Sequence, residues 1–243
     1  MTVSFSGMDG AGKSTQIQAL SAHLRDTGTR VRVIAFWDEV ATFTRFRETA
    51  GHTLFRGDKG VGSPEAPIER RDKNVRSWFM TPVRLFLYFA DALSLRSVAR
   101  KSVKSGAEVI IFDRYAYDEL VNLNLNRHAV RLYARLILKL VPSPQISYVL
   151  DADPVQARAR KPEYPVEFLN LCRESYLALG RLTGALTLIA PMPVPEVERE
   201  IWTRTLEKMT TCGVQGRDGT RMTGEARLDR RVVRPAASGP YQR

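Results

Sequence analysis

The sequence has few of the features that would place a protein in a membrane or stabilise it with disulfides. None of its apolar runs approaches the roughly 20 residues of a membrane-spanning helix, and its first residues lack the basic and apolar regions of a secretory signal. The two cysteines, Cys172 and Cys212, stand in neither a metal-ligand nor a Cys-x-x-Cys spacing. We therefore expect a cytoplasmic protein with no membrane attachment, no disulfide framework and no cysteine-based metal cluster.

The net charge is strongly positive, but the excess does not by itself identify a partner. The 37 lysine and arginine residues outnumber 26 acidic residues, which gives a formal net charge of +11. Residues 213–243 hold seven arginines and three acidic residues, so they supply +4 of that total. Such a charge fits nucleic acid, phosphorylated substrates or a solvated basic surface. We do not expect nucleic acid to be the partner, although a non-enzymatic nucleotide-binding or nucleic-acid-binding protein stays an alternative.

Apolar periodicity predicts strands and helices that alternate along the 243 residues. The predicted strands are residues 2–6, 31–36, 108–112, 145–150 and 186–189. One predicted helix follows the glycine-rich segment that begins at residue 7. The other predicted helices span 82–104, 118–140, 154–160, 166–183 and 195–209. Such alternation with right-handed crossovers predicts an α/β protein, a three-layer α/β/α sandwich around a five-stranded parallel sheet.

A complete G-x4-G-K-S pattern lies between the first predicted strand and helix, where it predicts a phosphate-binding loop. Glycines let the backbone approach phosphate oxygens, and the helix N-terminus offers its N–H groups and positive dipole end. Lys13 is predicted to contact the β- and γ-phosphates, and Ser14 to ligate magnesium. The predicted nucleotide-binding residues are Gly7, Met8, Asp9, Gly10, Ala11, Gly12, Lys13, Ser14 and Thr15. The segment therefore predicts binding of ATP or GTP with Mg²⁺ and places this chain among P-loop NTPase folds.

Several charged residues follow predicted strands and should share the carboxyl edge of the sheet with this loop. Asp113 and Arg114 follow the third strand, and Asp151 follows the fourth. Asp9 lies inside the loop, where a carboxylate among phosphates needs a cation, an arginine or an acceptor hydroxyl as partner. The alternative for Arg114 is a structural ion pair with Asp9 or Asp113, and the alternative for Asp113 is a helix cap.

The loop Gly7-Met8-Asp9-Gly10-Ala11-Gly12-Lys13-Ser14-Thr15-Gln16 resembles that of thymidylate kinases, whose form is G-x-D-G-x-G-K-S/T-T-Q. Further segments resemble the same family in the same order, over about residues 2 to 205. These segments are Asp113-Arg114-Tyr115, Leu150-Asp151-Ala152-Asp153-Pro154, Arg158-Ala159-Arg160-Lys161 and Arg173-Glu174-Ser175-Tyr176-Leu177. The resemblance implies ATP- and magnesium-dependent phosphoryl transfer to a nucleoside monophosphate, with dTMP as the acceptor, and a homodimer.

The resemblance also implies roles for individual residues. Arg114 would hold the acceptor phosphate, because a guanidinium fork matches two phosphate oxygens. Asp113 would lie near magnesium through water. Because Gly10 follows the loop aspartate, the transition-state arginine would come from the lid, where Arg158 and Arg160 are the candidates. Asp9, Lys13, Arg114, Arg158 and Arg160 are thus the predicted catalytic residues.

The acceptor side departs from the family pattern. The segment after the second strand reads Phe36-Trp37-Asp38-Glu39-Val40, where the family carries an Arg-Glu-Pro-Gly-like sequence. Tyr88 could stack on the base, but no arginine stands at Asp91 or Ala92 one turn away. Asp38 could contact an acceptor hydroxyl or be a loop charge. Asp9, Asp38, Tyr88 and Arg114 are the predicted acceptor-binding residues, and a kinase of the same fold with another nucleotide or a sugar as acceptor stays an alternative.

This interpretation divides the chain into one kinase domain and a tail. Residues 1–212 form the predicted domain, with a variable acceptor-side segment at 40–80 and a lid at about 154–166. Residues 213–243 are polar and rich in arginine, so we expect a disordered tail.

Overall fold

The computed structural model describes residues 1–42 and 81–213. Most of the variable acceptor-side segment and nearly all of the predicted tail therefore lie outside the described residues. None of the helices in the two described ranges is long and apolar enough to cross a membrane.

Five strands form one parallel sheet at the centre of the molecule. They are β1 (Thr2–Ser6), β2 (Val31–Ala35), β3 (Val109–Asp113), β4 (Ile146–Leu150) and β5 (Thr187–Ile189). Their order is β2-β3-β1-β4-β5, and every neighbouring pair is parallel. The three inner strands are short and mostly buried runs, as expected where helices cover both faces of a sheet, while β2 and β5 each have one buried residue. The predicted fold class is confirmed.

The helices connect these strands and lie on both faces of the sheet. They are α1 (Lys13–Asp26), α2 (Thr81–Lys104), α3 (Ala116–Leu120), α4 (His128–Leu140), α5 (Pro154–Arg160), α6 (Val166–Thr183) and α7 (Val194–Thr211), with a π-helical turn at Phe36–Val40 after β2. Gly28, with φ of 76°, follows the end of α1 and takes the left-handed conformation that glycine adopts without steric cost.

Two apolar layers fix the sheet between the helices. On one face, Leu20 and Leu24 of α1 pack with Ile201 of α7 against Phe5. On the other face, side chains of α2, α4 and α6, such as Leu95, Ile137 and Leu179, pack against Ile34 and Phe112. Burying each such side chain contributes about 1.5–3 kcal/mol, so the two layers dominate the stability of the sheet. The carboxyl ends of the strands are thereby held as a rigid edge.

Two local predictions were wrong. Residues 118–140 form two helices rather than one, because a turn containing three asparagines separates α3 from α4. In that turn Asn124 Oδ1 accepts the N–H of Asn126 at 3.2 Å, which is the local bonding that makes asparagine favour turns. The second strand ends at Ala35 instead of 36, since the chain turns at once into Phe36–Val40.

Candidate active site

Three loops meet at the carboxyl edge of the sheet because their strands are neighbours. β1 lies between β3 and β4, with Phe5 opposite Asp113 and Ser6 opposite Val149. The loop from Gly7 to Gly12 therefore leaves the sheet between the residues that follow β3 and those that follow β4. This central position brings the predicted phosphate loop beside Arg114.

The glycines of the loop stand where a side chain would collide with neighbouring backbone. Gly7 has a φ of 141°, and a Cβ there would lie 2.6 Å from the carbonyl oxygen of Leu150. Gly10 has a φ of 80°, and a Cβ there would collide with the carbonyl oxygen of Ala157 in α5. Both positions require glycine for conformation and for space. The loop is thus packed closely between β4 and the predicted lid helix.

Lys13 is buried inside the loop, with 7% of its surface exposed. Its ammonium donates to the carbonyl oxygens of Gly7 and Met8, each at 2.8 Å. Burial, together with the charge of Arg114, lowers the pKa of Lys13 to about 7, although Asp9 and other carboxylates partly oppose this shift. The side chains of Ser14 and Thr15, which follow it in α1, are exposed at the same edge.

Arg114 lies against the loop in an unusual backbone conformation. Its φ is 70°, the left-handed region that costs a non-glycine residue about 1–2 kcal/mol. Its Nη2 donates to Asp9 Oδ1, and its Nη1 lies 3.3 Å from Asp118 Oδ1. Burial alone would lower the pKa of Arg114, but the two carboxylates raise it by more, so the guanidinium stays charged. Of the ion pairs that the sequence allowed for Arg114, the one with Asp9 is present.

Asp118 is a buried carboxylate that the sequence interpretation did not assign to the site. Its side chain is 1% exposed, and it accepts hydrogen bonds from several elements at once. Oδ2 accepts from Ser6 Oγ at 2.6 Å and from the N–H of Tyr115 at 3.0 Å, and Oδ1 accepts from Tyr176 Oη at 2.8 Å. We call Ser6, Arg114, Tyr115, Asp118 and Tyr176 the Asp118 cluster. A carboxylate three residues after the N-cap of a helix, here Tyr115, is a capping signal that could have indicated part of this arrangement.

The residues predicted to bind the metal and the acceptor differ in how far they are exposed. Asp113 is partly buried, and burial raises its pKa against the opposing charges of Arg114 and Lys13. Asp38 is exposed in the turn that follows β2, at the same edge of the sheet, and its charge also raises the pKa of Asp113. Tyr88, in contrast, is 7% exposed and packs in the apolar layer with Ala92. The ring expected to stack on a base is therefore also part of the core.

The predicted lid contacts the loop through a lysine rather than through its arginines. Arg158 Nη1 donates to the carbonyl oxygen of Tyr164 at 2.6 Å, and Arg160 Nε donates to that of Gln156 at 3.3 Å. Lys161 Nζ lies 3.8 Å from Asp9 Oδ1. The sequence interpretation quoted Lys161 only as part of a motif and gave it no role. Both lid arginines are bound within their own segment in this conformation.

Among the described residues, the groups at this edge that could bind a metal ion are single oxygen ligands. In the described ranges 1–42 and 81–213, no three histidine, cysteine or acidic side chains gather into a cluster that could hold a metal ion. Mg²⁺ commonly takes one or two protein ligands together with phosphate oxygens and water. The Ser14 hydroxyl and the Asp113 carboxylate, which the sequence predicts as metal ligands, are of the chemical type that this requirement calls for.

Comparisons with known proteins agree with this geometry. Residues 1–44, which include the loop, match the family model described as "Methylmalonyl Co-A mutase-associated GTPase MeaB". The chain is similar to the thymidylate kinase of Maridesulfovibrio salexigens, with 26% identity over 86% of this chain and 96% of that protein. It is similar to the thymidylate kinase of Deinococcus radiodurans, with 28% identity over 85% of this chain and 96% of that protein.

The fold is shared with a solved structure, the crystal structure of thymidylate kinase from Ehrlichia chaffeensis. The TM-score is 0.54 at 16% identity, over 85% of this chain and 98% of that one. The sheet and the phosphate loop define a P-loop NTPase fold. Within that class the chain is thymidylate kinase-like, which confirms the resemblance expected from its motifs.

Proposed function

We propose that the protein transfers the γ-phosphoryl group of ATP, with Mg²⁺, to a nucleoside monophosphate, and that dTMP is the acceptor. The observation that carries this proposal is the guanidinium of Arg114 held beside the phosphate loop. A guanidinium at that place can bind two oxygens of a second phosphate group, as an acceptor nucleotide requires. The names of the similar proteins favour dTMP among the nucleoside monophosphates.

The donor would be held by the residues from Gly7 to Thr15. The glycines leave the backbone N–H groups open to phosphate oxygens, and α1 directs its positive dipole end at them. Lys13 would exchange the carbonyl oxygens of Gly7 and Met8 for the β- and γ-phosphates.

Magnesium would be bound by Ser14 directly and by Asp113 through water. When bound, Mg²⁺ neutralises charge on the phosphate oxygens during transfer. Burial raises the pKa of the Asp113 carboxyl, and a nearby cation would stabilise its charged form.

The acceptor phosphate would be held by Arg114, with Asp9 beside it for an acceptor hydroxyl. The negative phosphate would replace Asp9 at Nη2 of Arg114, and Asp9 could then contact Lys161, which already lies 3.8 Å away. Asp38 and Tyr88 would contact the rest of the acceptor. Phosphoryl transfer then needs orientation and electrostatic stabilisation, without a covalent intermediate.

The lid, at about residues 154–166, would supply the arginine that stabilises the transition state. Arg158 and Arg160 are the candidates, and each must release a backbone carbonyl to reach the phosphates. The close packing of Ala157 against Gly10 keeps this helix next to the loop.

A second candidate function is the same transfer to another acceptor, such as a different nucleotide or a sugar. It is favoured by α2, where a buried aspartate and an alanine stand in place of a base-binding arginine. Asp91 is fully buried and accepts from the N–H and hydroxyl of Thr42 at 2.6 and 2.7 Å, and Ala92 is 1% exposed. Neither side chain supplies a cationic donor for a base.

The cytoplasmic location stays a prediction from the cysteine content, and the homodimer stays a prediction of the resemblance. Sedimentation velocity at two protein concentrations would test the dimer.

The deciding experiment is ATP consumption with magnesium against a panel of acceptors. We expect turnover with dTMP above that with the other nucleoside monophosphates and with common sugars. Turnover with only another acceptor would establish the second candidate. Absence of turnover with every acceptor, together with tight and salt-sensitive binding to DNA, would contradict both and favour a nucleic-acid-binding protein.

A further inference from the structure

The two carboxylates that contact Arg114 are held very differently. Asp9 lies in the phosphate loop with 11% of its side chain exposed, and its second neighbour is Lys161 at 3.8 Å. Asp118 is almost completely buried, and the other hydrogen bonds to its carboxylate come from Ser6, Tyr115 and Tyr176. Asp9 is thus partly open to solvent and has a second cation nearby, whereas Asp118 is held by hydrogen bonds from several directions.

The Asp118 cluster joins separate elements of the site. Ser6 is the last residue of β1, Tyr115 immediately precedes α3, and Tyr176 lies in the middle of α6. Tyr176 Oη also lies 3.3 Å from the carbonyl oxygen of Gly7, which accepts from Lys13. Burial and the charge of Asp118 raise the pKa of Tyr176 well above its usual value, so its hydroxyl remains a donor. A carboxylate with its acceptor sites filled in this way has little freedom to move.

We propose that Asp118 is the positioning residue for Arg114: it holds the guanidinium at the acceptor edge when the acceptor phosphate displaces Asp9. This proposal rests on the proposed function, and it assigns Asp9 and Asp118 different tasks. Asp9 is the exchangeable partner of Nη2, and Asp118 is the permanent partner of Nη1. Without Asp118, the left-handed backbone at Arg114 would still direct the side chain toward the loop, but its fork would lose the orientation that matches two phosphate oxygens.

The first test observes Arg114 directly in the full-length protein by NMR, with no acceptor present. The Nη1 and Nη2 signals of Arg114 stay separate when the guanidinium is held and merge when it rotates freely. We expect separate signals in the wild-type protein and in Asp9→Asn, and loss of the separation in Asp118→Asn. Merged signals in Asp9→Asn with separate signals in Asp118→Asn would make Asp9 the anchor and overturn the proposal.

Matched variants separate positioning from general damage to the fold. Glu108→Gln changes a carboxylate that accepts the N–H of Arg30 at 2.8 Å at the opposite edge of the sheet, and it should leave the Arg114 signals unchanged. Should Asp118→Asn fail to fold, Tyr176→Phe removes one donor to Asp118 without touching Arg114. Its control is Tyr148→Phe, whose hydroxyl contacts Ile201 and Thr205 on the other face. Faster guanidinium rotation in Tyr176→Phe than in Tyr148→Phe is expected, and equal rotation would overturn the proposal.

The second test measures dissociation constants for dTMP and for ATP by calorimetry. Asp118→Asn should weaken dTMP binding about 10-fold, because the charged hydrogen bonds from Arg114 to the acceptor phosphate would lose their alignment. ATP binding should change less than about threefold. Equal weakening of both ligands would show general damage and overturn the positioning role. A wild-type protein that binds no dTMP would contradict the proposed acceptor alone, because the NMR comparison of Asp9 and Asp118 would still decide the inference.

Discussion

The proposed donor and acceptor halves of the site are built in different ways. The donor half is one continuous segment, Gly7 to Thr15, whose backbone provides most of the expected contacts. The acceptor half combines side chains from four distant places: Asp9 in the loop, Arg114 after β3, Asp118 in α3 and Tyr176 in α6. A substitution within a continuous loop disturbs the backbone contacts of its neighbours. In a dispersed set of side chains, one residue can be substituted without displacing the others. The two halves should therefore respond differently to substitution.

The largest expected effect is that of Lys13→Ala on the donor half. Loss of the ammonium beside the β- and γ-phosphates should lower kcat by about 1000-fold or more, because electrostatic stabilisation dominates phosphoryl transfer. The melting temperature should not fall, since this buried ammonium is desolvated in the folded protein. Steady-state kinetics and thermal unfolding measure the two quantities. Substantial remaining activity would contradict the assignment of this loop.

Arg114→Ala tests whether the acceptor half can be damaged separately. We expect kcat/KM for the acceptor to fall about 100-fold while KM for ATP changes little, because a bidentate charged contact to phosphate is lost. Kinetics with each substrate varied in turn would show the difference. If KM for ATP rose in parallel, the separation of the two halves would not hold.

Gly10→Ala and Gly12→Ala compare steric collision with conformational strain in the donor half. Both residues have φ between 80° and 87°, so each alanine is strained by about 1–2 kcal/mol. Only the Cβ at Gly10 would also collide with Ala157, whereas nothing lies within 4 Å of one at Gly12. Chemical denaturation should show the larger loss of unfolding free energy for Gly10→Ala. Equal losses would mean that α5 is not packed on the loop in solution.

The pH dependence of ATP binding reports on the donor half alone. Burial lowers the pKa of Lys13 to about 7, so above that pH the empty loop holds mostly the neutral amine. Phosphate binding favours the charged form, so ATP binding should take up protons and weaken by at most about 10-fold per pH unit above 7. Calorimetry in buffers of different ionisation enthalpy counts the protons. An uptake that persists in Lys13→Met would come from another group.

The smallest effect is expected from removing residues 213–243. If this segment is a disordered tail, its deletion should shift the melting temperature by less than about 2 °C, since a tail without a core contributes little to folding. Differential scanning calorimetry of the full-length and shortened chains tests this prediction. A large decrease would show that the tail packs on the domain.

The difference between a continuous loop and dispersed side chains also explains which parts of the site could be predicted from the sequence. The phosphate loop was predictable because its spacing, its glycines and its strand–helix context lie within 15 consecutive residues. The sheet was predictable because each buried strand is a short apolar run between helical patterns. Asp118 could not be assigned from its neighbours in sequence, since Ser6 and Tyr176 lie 112 and 58 residues away from it. The contact of Lys161 with Asp9 likewise depends on how α5 packs, which no local pattern specifies.

The position of β1 inside the sheet affects the order in which the strands unfold. β1 is hydrogen-bonded to strands on both sides, while β2 and β5 end the described sheet. In native-state hydrogen exchange, the amides of β1 should be released only by global opening, and those of β2 and β5 by smaller openings. β1, which supports the phosphate loop, would then stay folded after the outer strands β2 and β5 have opened. A partly unfolded molecule would lose the turn after β2, and with it Asp38, before it loses the support for Lys13.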